Sequence, residues 1–373
     1  MESTRPTRIE IDTEQARLNF RYVREHLNAG TKTTFVLKAN AYGHGSVEMG
    51  KLAEEEGYDS FAVAMPEEAV PLREAGITLP IYILGLTLPT SFDLVVETNV
   101  IPAVSECTDL VALNAAGKRK NKVISCMLAI NTGMNRIGVP AEKALDMVER
   151  IKLYPNLKLR GFFTHMANGD SPDQESAKNQ IKLFKAMFYH IQAAYPGEEF
   201  VFSMNNSAGT LAFPESQFNS VRPGIILYGI NPLSTKLDGE GVKPFLSLRS
   251  RVTQVVRLPG GVSIGYGSTY TLPNEMTIAT IPIGYADGYP RILSNRGSVL
   301  IGGARCPVVG RICMDMLMVA VPDEVAVKVG DDVVLIGTQG EEEITVNEIA
   351  RLADTIPYEI FTGLSLRVPR IYY

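Results

Sequence analysis

The sequence predicts an α/β protein, a (β/α)8 barrel of the TIM type followed by a mostly β C-terminal domain. Apolar, β-branched runs alternate with helix-like segments from about residue 13 to 225, which is the pattern of a parallel α/β fold. Eight strand candidates fall in that stretch, and no G-x-G-x-x-G follows any of them, so a closed barrel fits better than a doubly wound sheet. After Asn231-Pro232 the period changes to short β-rich runs separated by Gly, Pro and Asp.

The elements can be justified in order. Asp12 is placed to cap a first helix, with Gln15 three residues on, Ala16, Phe20, Val23 and Leu27 recurring on one face, and Gly30 as the stop. The eight strand candidates are Thr33–Lys38, Ser60–Ala64, Ile81–Leu84, Val100–Ala103, Ile124–Ile130, Leu159–His165, Phe200–Met204 and Asn219–Arg222. Lys236 to Lys243 is a polar, glycine-containing connection that predicts the domain boundary. The expected units are a barrel over 1–240 and a β-rich domain over 241–373, with the first ~12 residues as candidates to pair with the second. Strands are expected there at Leu246–Val256, Thr277–Ile281, Ser298–Ile301, Cys306–Val309, Met316–Ala320 and Asp332–Leu335, in a small barrel or sandwich with a helix near Val346–Ala353.

Composition narrows the function classes. At 373 residues the chain is long enough for two cores, and 45% hydrophobic with 21% charged residues is ordinary for a globular protein. A net charge of −5 offers no long-range attraction for nucleic acid or an anionic membrane, and Lys118-Arg119-Lys120 reads as a solvated helix end. The four cysteines lack C-x-x-C spacing, and Cys126 and Cys313 lie in apolar runs where a thiol packs as a small hydrophobe. Neither a disulfide framework nor a metal site is expected. Residues 1–6 contain no apolar signal region and no stretch reaches the ~18–20 apolar residues of a membrane span, which makes the cytoplasm the expected location.

The chemistry concentrates where strands end, the face on which barrel enzymes build their sites. Lys38 closes the run Thr33-Thr34-Phe35-Val36-Leu37 and opens Ala39-Asn40-Ala41-Tyr42-Gly43-His44-Gly45. An unpaired ammonium is costly to bury there, whereas a lysine that forms a Schiff base avoids that cost, and a depressed pKa makes its amine nucleophilic. Arg136 lies past the fifth strand, His165 ends the sixth, Asn206 and Ser207 follow the seventh, and Arg222 ends the eighth. Ser207, Gly224 and Ile225 occupy the loops after strands 7 and 8, the usual phosphate seat of this fold.

These stretches closely resemble those of alanine racemases, and the resemblance runs the length of the chain. It implies a pyridoxal 5'-phosphate (PLP) cofactor carried by Lys38, a phosphate contact from Tyr42, and Arg222 of the R-P-G segment bonded to the pyridine nitrogen. A permanent cation there weakens the cofactor as an electron sink, which suits return of a proton to the same carbon. Racemisation needs a second acid/base on the opposite face, and Tyr266 in Ser263-Ile264-Gly265-Tyr266-Gly267-Ser268-Thr269-Tyr270 matches the family's catalytic tyrosine. A phenol acts as a base near neutrality only if a neighbour stabilises the phenolate, and His165 matches the histidine that bonds this tyrosine. In the family that tyrosine comes from the partner subunit of a head-to-tail dimer, so the resemblance implies a homodimer with shared active sites. It further implies Arg136, Tyr285 and the Met314 N–H as substrate contacts and Tyr358 as a second phosphate contact.

Two departures stand out. Many members read K-V-D-T-G-M, with a carbamylated lysine that braces the arginine, where this chain has Ala129-Ile130-Asn131-Thr132-Gly133-Met134, so Arg136 must be held by a bound chloride, by Asn131 or by another acceptor. Ser203 stands where some members have a histidine supporting the pyridine-facing arginine. The resemblance implies racemisation of alanine, supplying D-alanine for peptidoglycan, with serine or another small amino acid as the alternative substrate. A PLP decarboxylase of basic amino acids shares the fold but usually sets a carboxylate against the pyridine nitrogen, and a non-catalytic PLP carrier would not need the second domain.

Overall fold

The computed structural model describes residues 5–233 and 241–373, so most of the connection expected at 236–243 lies outside the described residues. The described residues form two compact units, one comprising residues 16–41, 45–233 and 241–243, the other residues 5–15, 42–44 and 244–373.

In chain order the strands of the first half are β1 (Arg8–Ile11), β2 (Lys32–Val36), β3 (Ser60–Val63), β4 (Ile81–Leu86), β5 (Ile101–Val104), β6 (Ile124–Asn131), β7 (Val139–Pro140), β8 (Leu157–Phe163), β9 (Val201–Ser203) and β10 (Ser220–Val221). Eight of them close a parallel ring in the order β2-β3-β4-β5-β6-β8-β9-β10, with β10 returning to β2. The expected barrel is therefore present, with each strand within a few residues of its predicted bounds. The chain alternation explains why: parallel strands buried on both faces need crossover helices, and only a ring gives every strand two partners.

The first helix runs Thr13–Glu25, and Asp12 caps it by accepting the Gln15 N–H at 3.0 Å. It stops earlier than expected, because Leu27 and Gly30 lie in the turn that leads into β2 rather than in a last helical turn. Ala16, Phe20 and Val23 are buried as the periodicity requires. Phe20 meets Phe35 of β2 edge-on at 4.8 Å, and Phe35 also packs edge-on against Tyr58, Phe61 and Tyr228. This aromatic cluster fixes the strand that ends just before Lys38.

Beyond β2 the backbone does something the sequence did not announce. Ala39, Asn40, Ala41 and Tyr42 all adopt left-handed helical geometry, with φ between 51° and 54°. Each such non-glycine residue costs about 1–2 kcal/mol, so the surrounding bonds must hold the turn in place. The Ala41 N–H donates to the Leu37 carbonyl at 2.7 Å, and the Asn40 side chain accepts from the Ser46 N–H at 2.9 Å.

The other unit is mostly β. Its strands are β11 (Leu246–Arg251), β12 (Gln254–Leu258), β13 (Ser263–Ile264), β14 (Tyr270–Thr271), β15 (Met276–Ile281), β16 (Ser298–Ile301), β17 (Ala304–Pro307), β18 (Leu317–Val321), β19 (Asp332–Gln339), β20 (Glu342–Ile344) and β21 (Arg370–Tyr372). One sheet runs β17-β16-β19-β11-β1-β21 with β20 added to β19, a second runs β12-β15-β18, and β13–β14 is a hairpin. The single run expected at Leu246–Val256 is two strands in different sheets, divided at Val252-Thr253. β1 pairs antiparallel with β11 and parallel with β21. A helix at Val346–Leu352 is capped by Thr345, whose hydroxyl accepts the Glu348 N–H at 3.0 Å. A second, Pro357–Gly363, was not anticipated because it is short and opens on a proline, which suits a first helical turn as well as a loop. Cys126 and Cys306 are buried, but Cys313 sits half-exposed in a loop instead of packing in a core. Among the described residues no helix is long and apolar enough to cross a membrane.

Replacing Phe35 by Ala should destabilise the protein by about 3–5 kcal/mol, since it empties the centre of a fully buried aromatic cluster. Denaturant unfolding measures this, and a loss under about 1 kcal/mol would mean that the cluster does not anchor the strand.

Candidate active site

A cavity of about 250 Å³ opens among the strand ends of the barrel, lined by Lys38, Ala64, Leu84, Gly85, Ala129, Asn131, Met134, Arg136, Phe163, Thr164, His165 and Arg222, with Ile130 and Ile137. The barrel thus brings together four of the predicted residues, Lys38, Arg136, His165 and Arg222. Each arrives from a different strand, so closure of the ring and not sequence proximity makes them neighbours.

The electrostatics are one-sided, because no carboxylate lines this cavity. Burial and then the Arg136 guanidinium push the Lys38 ammonium down from its ordinary pKa, with Glu68 opposing. Burial, followed by repulsion from Arg222, Arg136 and Lys38, pushes His165 down to about 3. Arg222 is fully enclosed, and burial and then Arg136 lower it to about 10. The pocket therefore presents a neutral imidazole, an amine biased towards its neutral form and two guanidinium groups.

Arg222 is held by a planar fork. One Nη donates to the Ser203 hydroxyl at 2.5 Å, the other to the Thr164 carbonyl at 2.5 Å, and the guanidinium lies 5.4 Å from the centre of the Phe163 ring. Ser203, at the position where some relatives have a histidine, is thus a direct partner of this arginine. Arg136 is exposed, and no side chain of the described residues is bonded to it. Asn131 is not its brace, because its Oδ1 accepts the Gly133 and Asn135 N–H groups and its Nδ2 donates to the Asn135 Oδ1.

The loops after β9 and β10 also meet. The Ser207 hydroxyl accepts from the Gly224 N–H at 2.9 Å, while Asn206 caps the helix Ser207–Ala212 through the Gly209 N–H. Ser207, Gly224 and Ile225 cluster as expected, although they do not line the cavity itself. Gln180 was missed by the sequence reading. Its amide donates to the His165 carbonyl at 2.9 Å and to the Thr132 hydroxyl at 3.0 Å, and its carbonyl accepts the Ala167 N–H. A buried glutamine among Ala177, Ile181 and Phe184 on a helix face was the available signal.

Tyr42, Tyr266, Tyr285, Met314 and Tyr358 belong to the other unit. The rings of Tyr42 and Tyr358 lie 6.0 Å apart, so two predicted phosphate contacts are adjacent. The Tyr285 N–H bonds to the Cys313 carbonyl and the Ala286 N–H to the Met314 carbonyl, zipping the two loops together. A Cβ on Gly284 would strike those carbonyls, which is why a glycine opens that turn. Asp287, fully buried, accepts the Gly284 N–H and is held by Arg5 at 2.6 Å, with Arg367 at 3.5 Å. Tyr266 is 72% exposed on the turn after Gly265, so its own unit does not bury the phenol and leaves it available to another surface.

Comparison with known proteins agrees with this geometry. The alanine racemase N-terminal domain model matches residues 11–232 and the alanine racemase C-terminal domain model residues 245–372. The chain belongs to the alanine racemase family. It is 43% identical to an alanine racemase of Carboxydothermus hydrogenoformans, over 99% of this chain and 100% of the relative. The solved alanine racemase of Clostridium difficile 630 superposes with a TM-score of 0.93 at 35% identity, over 100% of this chain and 97% of that one. That of Bartonella henselae, described with covalently bound pyridoxal phosphate, gives a TM-score of 0.86 at 29% identity over 99% of both chains. The family is one of isomerases.

The depressed His165 pKa has a consequence for stability. The unfolded imidazole protonates below pH ~6.5 while the folded one resists until about 3, so stability held above that range falls as pH drops through it. A His165→Gln variant should show a shallower loss of stability between pH ~6.5 and 4 in denaturant titrations. An unchanged slope would mean that the folded histidine titrates normally.

Proposed function

We propose that this chain interconverts L- and D-alanine with PLP bound at Lys38, using Lys38 and Tyr266 as acid/base groups on opposite faces of the reacting carbon. The observation that supports it best is the cavity in which Lys38 faces Arg136, His165 and Arg222 with no carboxylate among the lining residues. That donor set fits PLP: a neutral-leaning amine suits a bond to an aldehyde, and the cations suit a phosphate and a carboxylate. When bound, the cofactor supplies an electron sink for the pair left behind by the Cα proton.

The chain's own residues set the outcome. Arg222, fixed by Ser203 and Thr164, would hold the pyridine end of the cofactor, and its permanent charge would disfavour protonation of the ring, which suits return of a proton to the same carbon. Tyr42 and Tyr358, with Ser207, Asn206, Gly224 and Ile225, would hold the phosphate. Arg136 and the Met314 N–H would take the substrate carboxylate, and Tyr285 would line its entrance. Lys38 moves the proton on one face, and Tyr266, with His165 as its hydrogen-bond partner, moves it on the other. Tyr266 would come from the second subunit of a head-to-tail homodimer, so that dimerisation completes each site. D-alanine for peptidoglycan, made in the cytoplasm, is the role this activity would serve.

The deciding experiment incubates the protein and PLP with a panel of L-amino acids and separates the products by chiral chromatography. D-alanine should form; its absence would overturn the proposal. Lys38→Ala should abolish activity in both directions. Tyr266→Phe should lower racemisation by about 100-fold or more in both directions, because each direction uses the phenol once, as base or as acid, while PLP remains bound. Equal, full activity in both directions would refute the two-base arrangement. Arg222→Lys keeps the charge but cannot span Ser203 and Thr164 together, and should lower kcat by at least about tenfold.

A further inference from the structure

The left-handed turn after β2 leaves one donor without a partner of its own. As at the start of any helix, its first N–H, that of Ala39, has no carbonyl behind it. It donates to Glu68 Oε1 at 2.6 Å. The other oxygen of the same carboxylate, Oε2, accepts the Ala64 N–H at 2.7 Å. Ala39 follows Lys38 directly, and Ala64 follows the last residue of β3, the strand paired with β2. Both Lys38 and Ala64 line the cavity. One carboxylate, itself outside the lining, thus ties together the ends of two neighbouring strands that form the cavity wall.

Glu68 is itself held firmly. It lies in the short 3-10 helix Pro66–Ala69, whose proline fixes the backbone at the first position, and its own N–H donates to the Met65 carbonyl at 3.2 Å. Two short bonds to an ionised acceptor are the strong kind of hydrogen bond, and here they act on a turn that is unfavourable in all four of its non-glycine residues. The charge has a second effect. Glu68 is the acidic group that opposes the repulsion of Lys38 by Arg136, although it is not itself part of the cavity lining.

From this we infer that Glu68 is a positioning residue for Lys38, capping the left-handed turn at Ala39 and locking it to Ala64 so that the lysine leaves the barrel wall in one fixed direction. This rests on the proposed role of Lys38 as the PLP-bearing residue. It adds a residue that does not touch the substrate.

The test compares the natural chain with Glu68→Gln, Glu68→Asp and Glu68→Ala. Glutamine keeps the shape but can accept only one of the two N–H groups well, aspartate is one methylene too short to bridge both, and alanine removes both bonds. Hydrogen exchange of the protein without added PLP should show the Ala39 and Ala64 amides exchanging about tenfold faster or more in Glu68→Ala, with β3 amides unchanged. Borohydride fixation of PLP, mapped to Lys38 by peptide mass, should slow by about tenfold or more in Glu68→Ala and by less in Glu68→Gln. kcat should fall in both directions while KM for alanine stays within about twofold, because Arg136 and Met314 are untouched. If Glu68→Ala does not fold, Glu68→Gln is read in its place. Natural exchange at Ala39 together with natural fixation at Lys38 in the variants would overturn the inference and leave the proposed function standing. Failure of the natural chain to fix PLP at Lys38 would overturn that reading, and this inference with it, while the exchange arm would still report the clamp.

Discussion

Closing eight parallel strands into a ring forces their C-terminal ends to share one mouth, and in this chain that mouth collects positive charge with no acid lining it. Lys38, Arg136, His165 and Arg222 repel one another there, and burial adds to the cost of a charge on Lys38, His165 and Arg222. The protein answers in two ways. It leaves His165 as the neutral imidazole and lowers the pKa of Lys38, and it surrounds the guanidinium of Arg222 with fixed acceptors. The positive excess that remains is a standing preference for anions, and a phosphorylated cofactor together with an amino-acid carboxylate would satisfy it.

The supporting structure is correspondingly rigid. Phe35 and its aromatic neighbours anchor the strand below Lys38, and a run of four left-handed residues redirects the chain immediately above it. Strain of this kind persists only where several bonds over-determine the backbone. Gln180 has the same part on the other side of the mouth, tying the His165 carbonyl to the Thr132 hydroxyl. In the second unit, Asp287 and the zipped turns of Tyr285 and Met314 show the same economy of one buried polar group fixing two loops.

The departures from the commoner family pattern are absorbed locally. Where the resemblance implies a histidine in some members, Ser203 accepts from Arg222 at 2.5 Å, so a small hydroxyl holds the guanidinium here. Ala129 carries no charge and Asn131 is committed to its own loop, while the Arg136 side chain is exposed. A solvated guanidinium costs little to maintain, whereas a dry one would need a counter-charge.

The sequence alone carried the alternation of strands and helices, the lysine at a strand end and the basic residues at three others, because periodicity and strand ends are local properties written in consecutive residues. It also carried the resemblance, motif by motif, from Lys38 to Tyr358. The division of Leu246–Val256 into two sheets, the left-handed turn at Ala39–Tyr42, the carboxylate of Glu68 beneath it and the amide of Gln180 beside His165 were decided only in three dimensions. Each depends on a partner outside its own element or on a backbone conformation that side-chain chemistry does not dictate, so no local pattern could announce it.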